Sequence, residues 1–312
     1  MSQMKKVIVT GGAGFIGSHL AERLVGRGYQ IIILDDLSTG KMENIEELLN
    51  NDNVEFIQGD VTDLRLLKRL FKGASYVFHL AAIPSVPRSI ENPQASHEVN
   101  VNGTLNVLLA AKENSIKKVI YASSSAVYGD TPTLPKREDM KPHPLSPYAV
   151  TKLVGEYYCQ VFHEVYKLPT ICLRYFNVYG PRQDPNSQYA AVIPRFIKRA
   201  FQGNPPIIFS DGEQTRDFTF IKNAVEANIL AVESDACGLF NIGTGKSITI
   251  NRLAKLIVEL VGNNVEPIHQ EPRPGDIRHS LADISKARTF GYEPKYGLQV
   301  GLGETIGWLN DR

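Results

Sequence analysis

Short apolar runs rich in β-branched side chains alternate with longer stretches whose apolar residues recur every three or four positions through the first half of the chain. The short runs, at residues 7–10, 31–34, 54–57, 76–80, 119–122 and 170–173, predict six strands. Helical periodicity marks residues 15–24, 45–49, 64–71, 101–113 and 148–166 between and after them. Strands apolar on both faces need helices on both sides. The pattern therefore predicts a doubly wound parallel α/β sheet, with ligands at the carboxyl ends of its strands. Beyond residue 174 the rhythm changes: Pro, Gly and Asn thicken, and runs such as Gly180-Pro181-Arg182-Gln183-Asp184-Pro185 fit neither period. The expected organisation is a first lobe of residues 1–175 and a smaller mixed α/β lobe of residues 176–312, with residues 217–242 returning to the first.

The first strand runs into Thr10-Gly11-Gly12-Ala13-Gly14-Phe15-Ile16-Gly17, where a helix opens. Glycines 11, 14 and 17 suit a tight turn, close approach of backbone to a pyrophosphate, and close packing of helix on strand. Asp35 ends the second strand at nearly the spacing of an acceptor for both ribose hydroxyls, and no arginine follows in Asp36-Leu37-Ser38-Thr39. A Rossmann-like lobe that binds NAD rather than NADP is expected. Asp60, after the third strand, reads equally as a partner for the adenine amine or as a helix cap.

Tyr148 and Lys152 lie four residues apart, about one helical turn, so phenol and ammonium share a face. Ser146 fits the N-cap and Pro147 the first helical position, which places Tyr148 in the first turn. There the helix dipole and Lys152 are both expected to favour the phenolate of a group whose unperturbed pKa is about 10. Upstream, Ser123, Ser124 and Ser125 leave the carboxyl end of the fifth strand. A serine so placed can donate to a substrate hydroxyl and pass a proton to Tyr148, although serines after strands also serve turns. The implied chemistry is oxidation of an alcohol to a ketone.

A formal charge of +1 over 312 residues gives no global field for nucleic acid or an anionic membrane. The apolar run after Met1 is too short for a signal peptide, no later stretch is long enough to span a bilayer, and a cytoplasmic setting is expected. Cys159, Cys172 and Cys237 are odd in number and widely separated, against a disulfide framework or zinc site. No metal is expected, and His19, His79 and His163 read as packed or capping residues. Gly243-Thr244-Gly245-Lys246-Ser247 ends like a triphosphate-binding loop, but Phe240 stands where that motif needs glycine. It reads as a turn before a helix at residues 250–261.

Taken together, these residues resemble the extended short-chain dehydrogenase/reductases that act on nucleotide sugars, most closely the UDP-hexose 4-epimerases. The resemblance runs nearly end to end. It passes through the glycine motif, Leu80-Ala81-Ala82, residues 123–129, the Tyr148 to Lys152 motif, Arg174-Tyr175-Phe176-Asn177, residues 212–218 and Arg273-Pro274-Gly275-Asp276. It implies that Ser124, Tyr148 and Lys152 are catalytic. It implies further that Gly11, Gly14, Phe15, Ile16, Gly17, Asp35, Asp60, Val61, Leu80, Ala81 and Ala82, with Tyr148 and Lys152, hold NAD.

For the substrate, the resemblance implies that Asn177, Arg216 and Arg273 bind the UDP moiety and Asp276 its ribose, with Phe209 at the uracil and Arg88 near the diphosphate. Ser125 and Val192 complete the implied substrate contacts. Plainer readings stand beside these: Arg216 pairing with Asp217, Arg273 with Asp276, Phe209 in the core, Arg88 solvated. Dehydrating relatives carry Asp then Glu after the catalytic serine, and decarboxylating ones carry Glu at the second position; this chain has Ser125 and Ala126. Pro84 replaces a lysine of the best-known hexose epimerases, and Ser85-Val86-Pro87-Arg88 is similar to the branch handling N-acetylhexosamines. A tyrosine at the position of Ser280 restricts relatives to plain hexoses, whereas a small residue leaves room for a 2-acetamido group. The expected substrates are UDP-N-acetylglucosamine and UDP-N-acetylgalactosamine, with UDP-glucose and UDP-galactose tolerated. The alternatives are a dehydratase or decarboxylase, or an NAD-sensing protein without chemistry. A homodimer through the helices near Val101 and Tyr148 is the family expectation.

Overall fold

The computed structural model describes residues 4–185, 191–272 and 277–311. Its first half runs β1 (Lys6–Thr10), α1 (Phe15–Val25), β2 (Gln30–Asp35), β3 (Val54–Gln58), α2 (Leu64–Leu70), β4 (Tyr76–His79), α3 (Val86–Glu91), α4 (Pro93–His97), α5 (Gly103–Glu113), β5 (Lys118–Ser124), α6 (Pro147–Tyr166) and β6 (Thr170–Tyr175). All six strands stand where the apolar runs place them.

Residues 45–49, read as a helix, fall instead in the 3-10 turn Glu46–Asn50, which follows another at Met42–Asn44. The segment is too short to sustain α-helix, and the Asn-rich stretch after it competes for the backbone, as where Asn51 Oδ1 accepts from the Asn53 amide at 2.9 Å. Residues 98–102 form a π-helical turn, so the helix predicted from 101 becomes regular only at Gly103. That turn carries Asn100 inward, where it donates to the Ile83 carbonyl (3.3 Å) and Thr151 Oγ1 (3.0 Å) and accepts from the Ile83 amide (2.8 Å).

The second half contributes β7 (Val178–Tyr179), α7 (Val192–Phe201), β8 (Ile207–Phe209), β9 (Thr215–Arg216), β10 (Thr219–Phe220), α8 (Ile221–Glu233), β11 (Gly238–Ile242), β12 (Ile248–Thr249), α9 (Ile250–Val261), β13 (Ile268–Gln270), α10 (Ser285–Arg288) and α11 (Leu298–Asn310). β11 adds a seventh strand beside β6, giving the order β11-β6-β5-β4-β1-β2-β3, with every pair parallel. The order reverses between β1 and β4, so the loops leaving these strands diverge and open a crevice at their carboxyl ends. Side chains alternate across the sheet: Val7, Val9, Ile31 and Ile33 pack in one core layer, whereas Ile8, Ile32, Val77 and Tyr121 pack in the other. Outside this sheet the strands of the second half form three two-stranded pairs, β7–β10, β8–β13 and β9–β12. The triphosphate-loop lookalike is a turn whose Thr244 and Gly245 amides donate to Asp217, ahead of α9 at the predicted place. Cys159, Cys172 and Cys237 are free thiols. Among the described residues, no helix is long and apolar enough to cross a membrane.

Candidate active site

The glycine turn is built by exclusion of side chains. Gly11 has φ 69°, and a Cβ on it would lie 2.6 Å from the Ala81 amide nitrogen; one on Gly17 would lie 2.1 Å from the Gly11 carbonyl oxygen. Both contacts are with backbone, which cannot yield. α1 is thereby seated against β1, and Gly14 caps it with no side chain over its first-turn amides. The Asp35 carboxylate is fixed by the Ala13 amide on one oxygen and the Leu37 amide on the other, each at 2.9 Å. Burial pushes its carboxyl up, and those two amides oppose the shift. Each oxygen keeps a lone pair for a ribose hydroxyl.

Asp60 accepts from the Thr62 amide at 2.8 Å, while the cap of α2 is Asp63, which overturns the capping reading of Asp60. Every residue expected to hold the dinucleotide, from the glycines through Asp35, Asp60, Val61 and Leu80-Ala81-Ala82 to Lys152, lines one cleft of about 270 Å³. A turn that admits no Cβ, a helix N-terminus and a fixed acceptor together suit a dinucleotide diphosphate and ribose.

α6 starts as its sequence predicts. Ser146 Oγ accepts from the Ala149 amide at 3.2 Å and Pro147 occupies the first turn. The Tyr148 amide, which has no partner within its own helix, donates to Ser89 Oγ at 3.0 Å. The expected acidity of the phenol is not found. Burial pushes the Tyr148 phenol up, and only its hydrogen bond with Ser124 opposes this. Lys152 does not counter the shift, because its ammonium donates to the Ala122 carbonyl at 2.8 Å and stands 6.0 Å from the Tyr148 ring centroid. Burial lowers the Lys152 pKa to about 8, against the carboxylate of Glu156 and the Cys159 thiol. The Ser124 hydroxyl accepts from the Ala126 amide at 3.1 Å, capping the 3-10 turn Ser125–Tyr128, and is hydrogen-bonded to Tyr148.

A second cavity of about 350 Å³ adjoins the cleft, and Phe15, Ile16, Pro84, Ser123, Tyr148 and Tyr175 line both. Tyr148 thus stands at their junction. Ser124, Ser125, Asn177, Arg216 and Ser280 line the outer cavity, with Lys136 and His279, which the sequence reading did not single out. Asn177, at φ 35°, donates to the Asp217 carbonyl at 2.9 Å. The Arg216–Asp217 pairing is overturned: the Asp217 carboxylate is fully buried and accepts from Thr244, Gly245 and Ala282, while Arg216 Nη1 donates to the Thr215 carbonyl at 2.9 Å. Strand geometry explains it, since neighbouring residues leaving β9 point to opposite sides.

Ser280 is held by its amide on the Thr215 carbonyl at 3.0 Å. Arg88 is exposed on α3, Val192 opens α7, and Phe209 ends β8 with the Arg195 guanidinium 5.8 Å from its ring centroid. None of these three lines the cavity. Arg273 and Asp276 lie outside the described residues.

Two buried groups escaped the sequence reading. Glu156, one turn beyond Lys152, accepts from Ser123 Oγ at 2.5 Å and from Arg174 Nε and Nη2 at 2.8 and 2.7 Å. Carrying the four-residue period of Tyr148 and Lys152 one step further finds it. Asn100 left no signal, being a polar residue in a stretch read as loop and helix. His79 bonds Thr10 Oγ1 at 2.8 Å and Thr104 Oγ1 at 2.9 Å and is pushed down by burial to about 3, a packed neutral ring. Among the described residues, no group of three or more His, Cys, Asp or Glu is placed to hold a metal ion.

The sequence profile of the NAD dependent epimerase/dehydratase family matches residues 7–243. A putative UDP-glucose 4-epimerase of Methanocaldococcus jannaschii is 40% identical over 307 residues, 98% of each chain. Among solved structures, the UDP-N-acetylglucosamine 4-epimerase of Methanobrevibacter ruminantium M1, in complex with UDP-N-acetylmuramic acid, is 46% identical with a TM-score of 0.95, covering 99% of both chains. The UDP-glucose 4-epimerase of Thermotoga maritima, with UDP-glucose, is 40% identical with a TM-score of 0.94, covering 98% of this chain and 99% of that one.

Proposed function

Because the chain belongs to the NAD dependent epimerase/dehydratase family, with NAD as its cofactor, we propose that it interconverts the C4 epimers of a UDP-sugar. UDP-N-acetylglucosamine and UDP-N-acetylgalactosamine are the favoured pair, with UDP-glucose and UDP-galactose also turned over. The observation that carries this reading is the position of Tyr148, facing Ser124 where the cofactor cleft and the outer cavity meet.

NAD, when bound, supplies hydride acceptance and return at C4, and a positive ring charge that offsets the burial penalty on the Tyr148 phenolate. Tyr148 takes the O4 proton, directly or through Ser124, and later gives it back. Lys152, which lines the cofactor cleft, would hold the nicotinamide ribose. Asn177, Arg216 and Arg273 anchor UDP, with Asp276 on its ribose, while the 4-keto sugar turns to present its other face; no net redox follows. No Asp or Glu is found among the described residues lining the outer cavity, and Ser125 and Ala126 occupy the positions where rival chemistry needs an acid. That favours epimerisation over dehydration or decarboxylation.

Incubation with UDP-N-acetylglucosamine, UDP-glucose and UDP-glucuronate, followed by NMR at C4, tests the reading. C4 interconversion is expected; a 4,6-keto sugar or released carbon dioxide removes it. Substrate range has its own test at Ser280, which is 8% exposed in the cavity wall, so a larger side chain must enter the sugar space. Ser280→Tyr should reduce kcat/KM for the acetamido sugars about tenfold more than for UDP-glucose, within the range one steric group gives. Equal losses discard the gate.

The family dimer also gains support. Val150, Tyr157, Val161 and Val165 are 47, 54, 47 and 63% exposed along one stripe of α6, an apolar face suited to a second copy. Light scattering should give a dimer, and Val161→Lys should weaken it. A wild-type monomer at micromolar concentration counts against this interface.

A further inference from the structure

Glu156 and Arg174 form a buried ion pair, with side chains 2% and 1% exposed, joined by two hydrogen bonds of 2.8 and 2.7 Å. Such a pair contributes little net stability over well-packed apolar residues, so its presence in the core asks for another role. Its surroundings suggest one. Ser123 sits directly opposite Arg174 in the β5–β6 ladder and donates to Glu156 Oε1 at 2.5 Å, so one carboxylate joins β5, β6 and α6. On α6, Glu156 continues the stripe of Tyr148 and Lys152. On β5, Ser123 lines both cavities and immediately precedes Ser124. The Arg174 guanidinium lies 4.7 Å from the ring centroid of Tyr128, whose ring lines the outer cavity and whose hydroxyl donates to Asn241 Oδ1 at 2.7 Å.

We propose that the Glu156–Arg174 pair is a positioning unit for the reaction, holding the strand end that carries Ser123 and Ser124 in register with the helix face that carries Tyr148 and Lys152. The inference rests on the epimerase reading above. Neither residue lines the cofactor cleft or the outer cavity. The pair acts through Ser123 and through charge. Facing Lys152 are Tyr148, Glu156 and Cys159 on its own helix, Tyr121 on β5 and His79 on β4. Of these, the Glu156 carboxylate and the Cys159 thiol support the ammonium against burial. Removing the carboxylate therefore lowers the pH at which Lys152 loses its proton.

The test begins with wild-type turnover of UDP-N-acetylglucosamine and UDP-glucose. An inactive wild type removes the epimerase reading and the inference with it; an active one lets the variants decide the inference alone. Glu156→Leu/Arg174→Met replaces the pair by apolar side chains of similar bulk and should melt within about 5 °C of wild type. It should nonetheless lose about a hundredfold in kcat, the scale of a small misplacement of reacting groups, with KM changed less than about twofold. Glu156→Gln should move the basic limb of the kcat profile, expected near pH 8 in the wild type, toward lower pH. Ser123→Ala removes only the serine end of the link, so it remains informative where a pair variant fails to fold; about tenfold lower kcat with an unchanged melting temperature is expected. Wild-type kcat in the double variant, or in Ser123→Ala, overturns the proposal, because the pair would then be structural only. An unmoved basic limb in Glu156→Gln overturns the charge contribution.

Discussion

Replacing Tyr148 by phenylalanine should lower kcat about a thousandfold, roughly 4 kcal/mol of activation free energy, while leaving the fold, NAD retention and UDP binding intact. The variant keeps the ring and loses one hydroxyl. The backbone contact that seats the residue, its amide on Ser89 Oγ at 3.0 Å, is untouched. Ser124 loses its contact with the phenol but keeps the Ala126 amide, so no buried group is stranded. An effect confined to kcat is the mark of a group that acts in the transition state rather than in binding. Initial rates together with calorimetric titration of UDP check it. More than about a tenth of wild-type activity would mean that another group takes the proton.

Asp217→Ala should have the largest effect on the second half of the chain. The carboxylate is fully buried and accepts from Thr244 N at 2.9 Å, Thr244 Oγ1 at 2.6 Å, Gly245 N at 3.0 Å and Ala282 N at 3.2 Å. Truncation strands three backbone amides, each costing about 1–3 kcal/mol, so a loss of about 3 kcal/mol or more is expected. In a chain of 312 residues that is a fall in melting temperature of about 5 °C or more. The same aspartate joins three pieces of the cavity wall: its carbonyl holds Asn177, its neighbour is Arg216, and its Oδ2 holds the segment that carries Ser280. The KM for a UDP-sugar should therefore rise about tenfold, while NAD retention is spared because the cleft is built by other residues. Thermal melts and steady-state kinetics decide. An unchanged melting temperature contradicts this reading of Asp217, and an unchanged KM contradicts its part in shaping the cavity.

The first half of the chain was legible because its signals are local. A β-branched run predicts a strand wherever it lies, and Gly11 and Gly17 stand where a side chain would strike backbone, a constraint visible as a motif. The start of α6 was equally plain, since Ser146 and Pro147 cap it from within the sequence. What escaped depends on partners far along the chain. β11 is a strand because β6, some sixty residues earlier, offers it an edge. The plainer reading that paired Asp217 with Arg216 rested on adjacency, which is all a sequence displays, whereas its partners arrive from Thr244 and Ala282. The phenol of Tyr148 was read as acidic from its helix dipole and Lys152, both apparent in the sequence; burial, which is not, outweighs them. Glu156 lay within reach of the four-residue spacing, but only folding brings Ser123 and Arg174 to it.

The central claim, that hydrogen leaves and returns to one sugar carbon within a closed site, is tested most directly with UDP-N-acetylglucosamine deuterated at C4. The account predicts UDP-N-acetylgalactosamine that keeps its deuterium at C4, with none passing to water or to NAD added in solution. Loss of the label to solvent, or an epimer inverted at any other carbon, would contradict it.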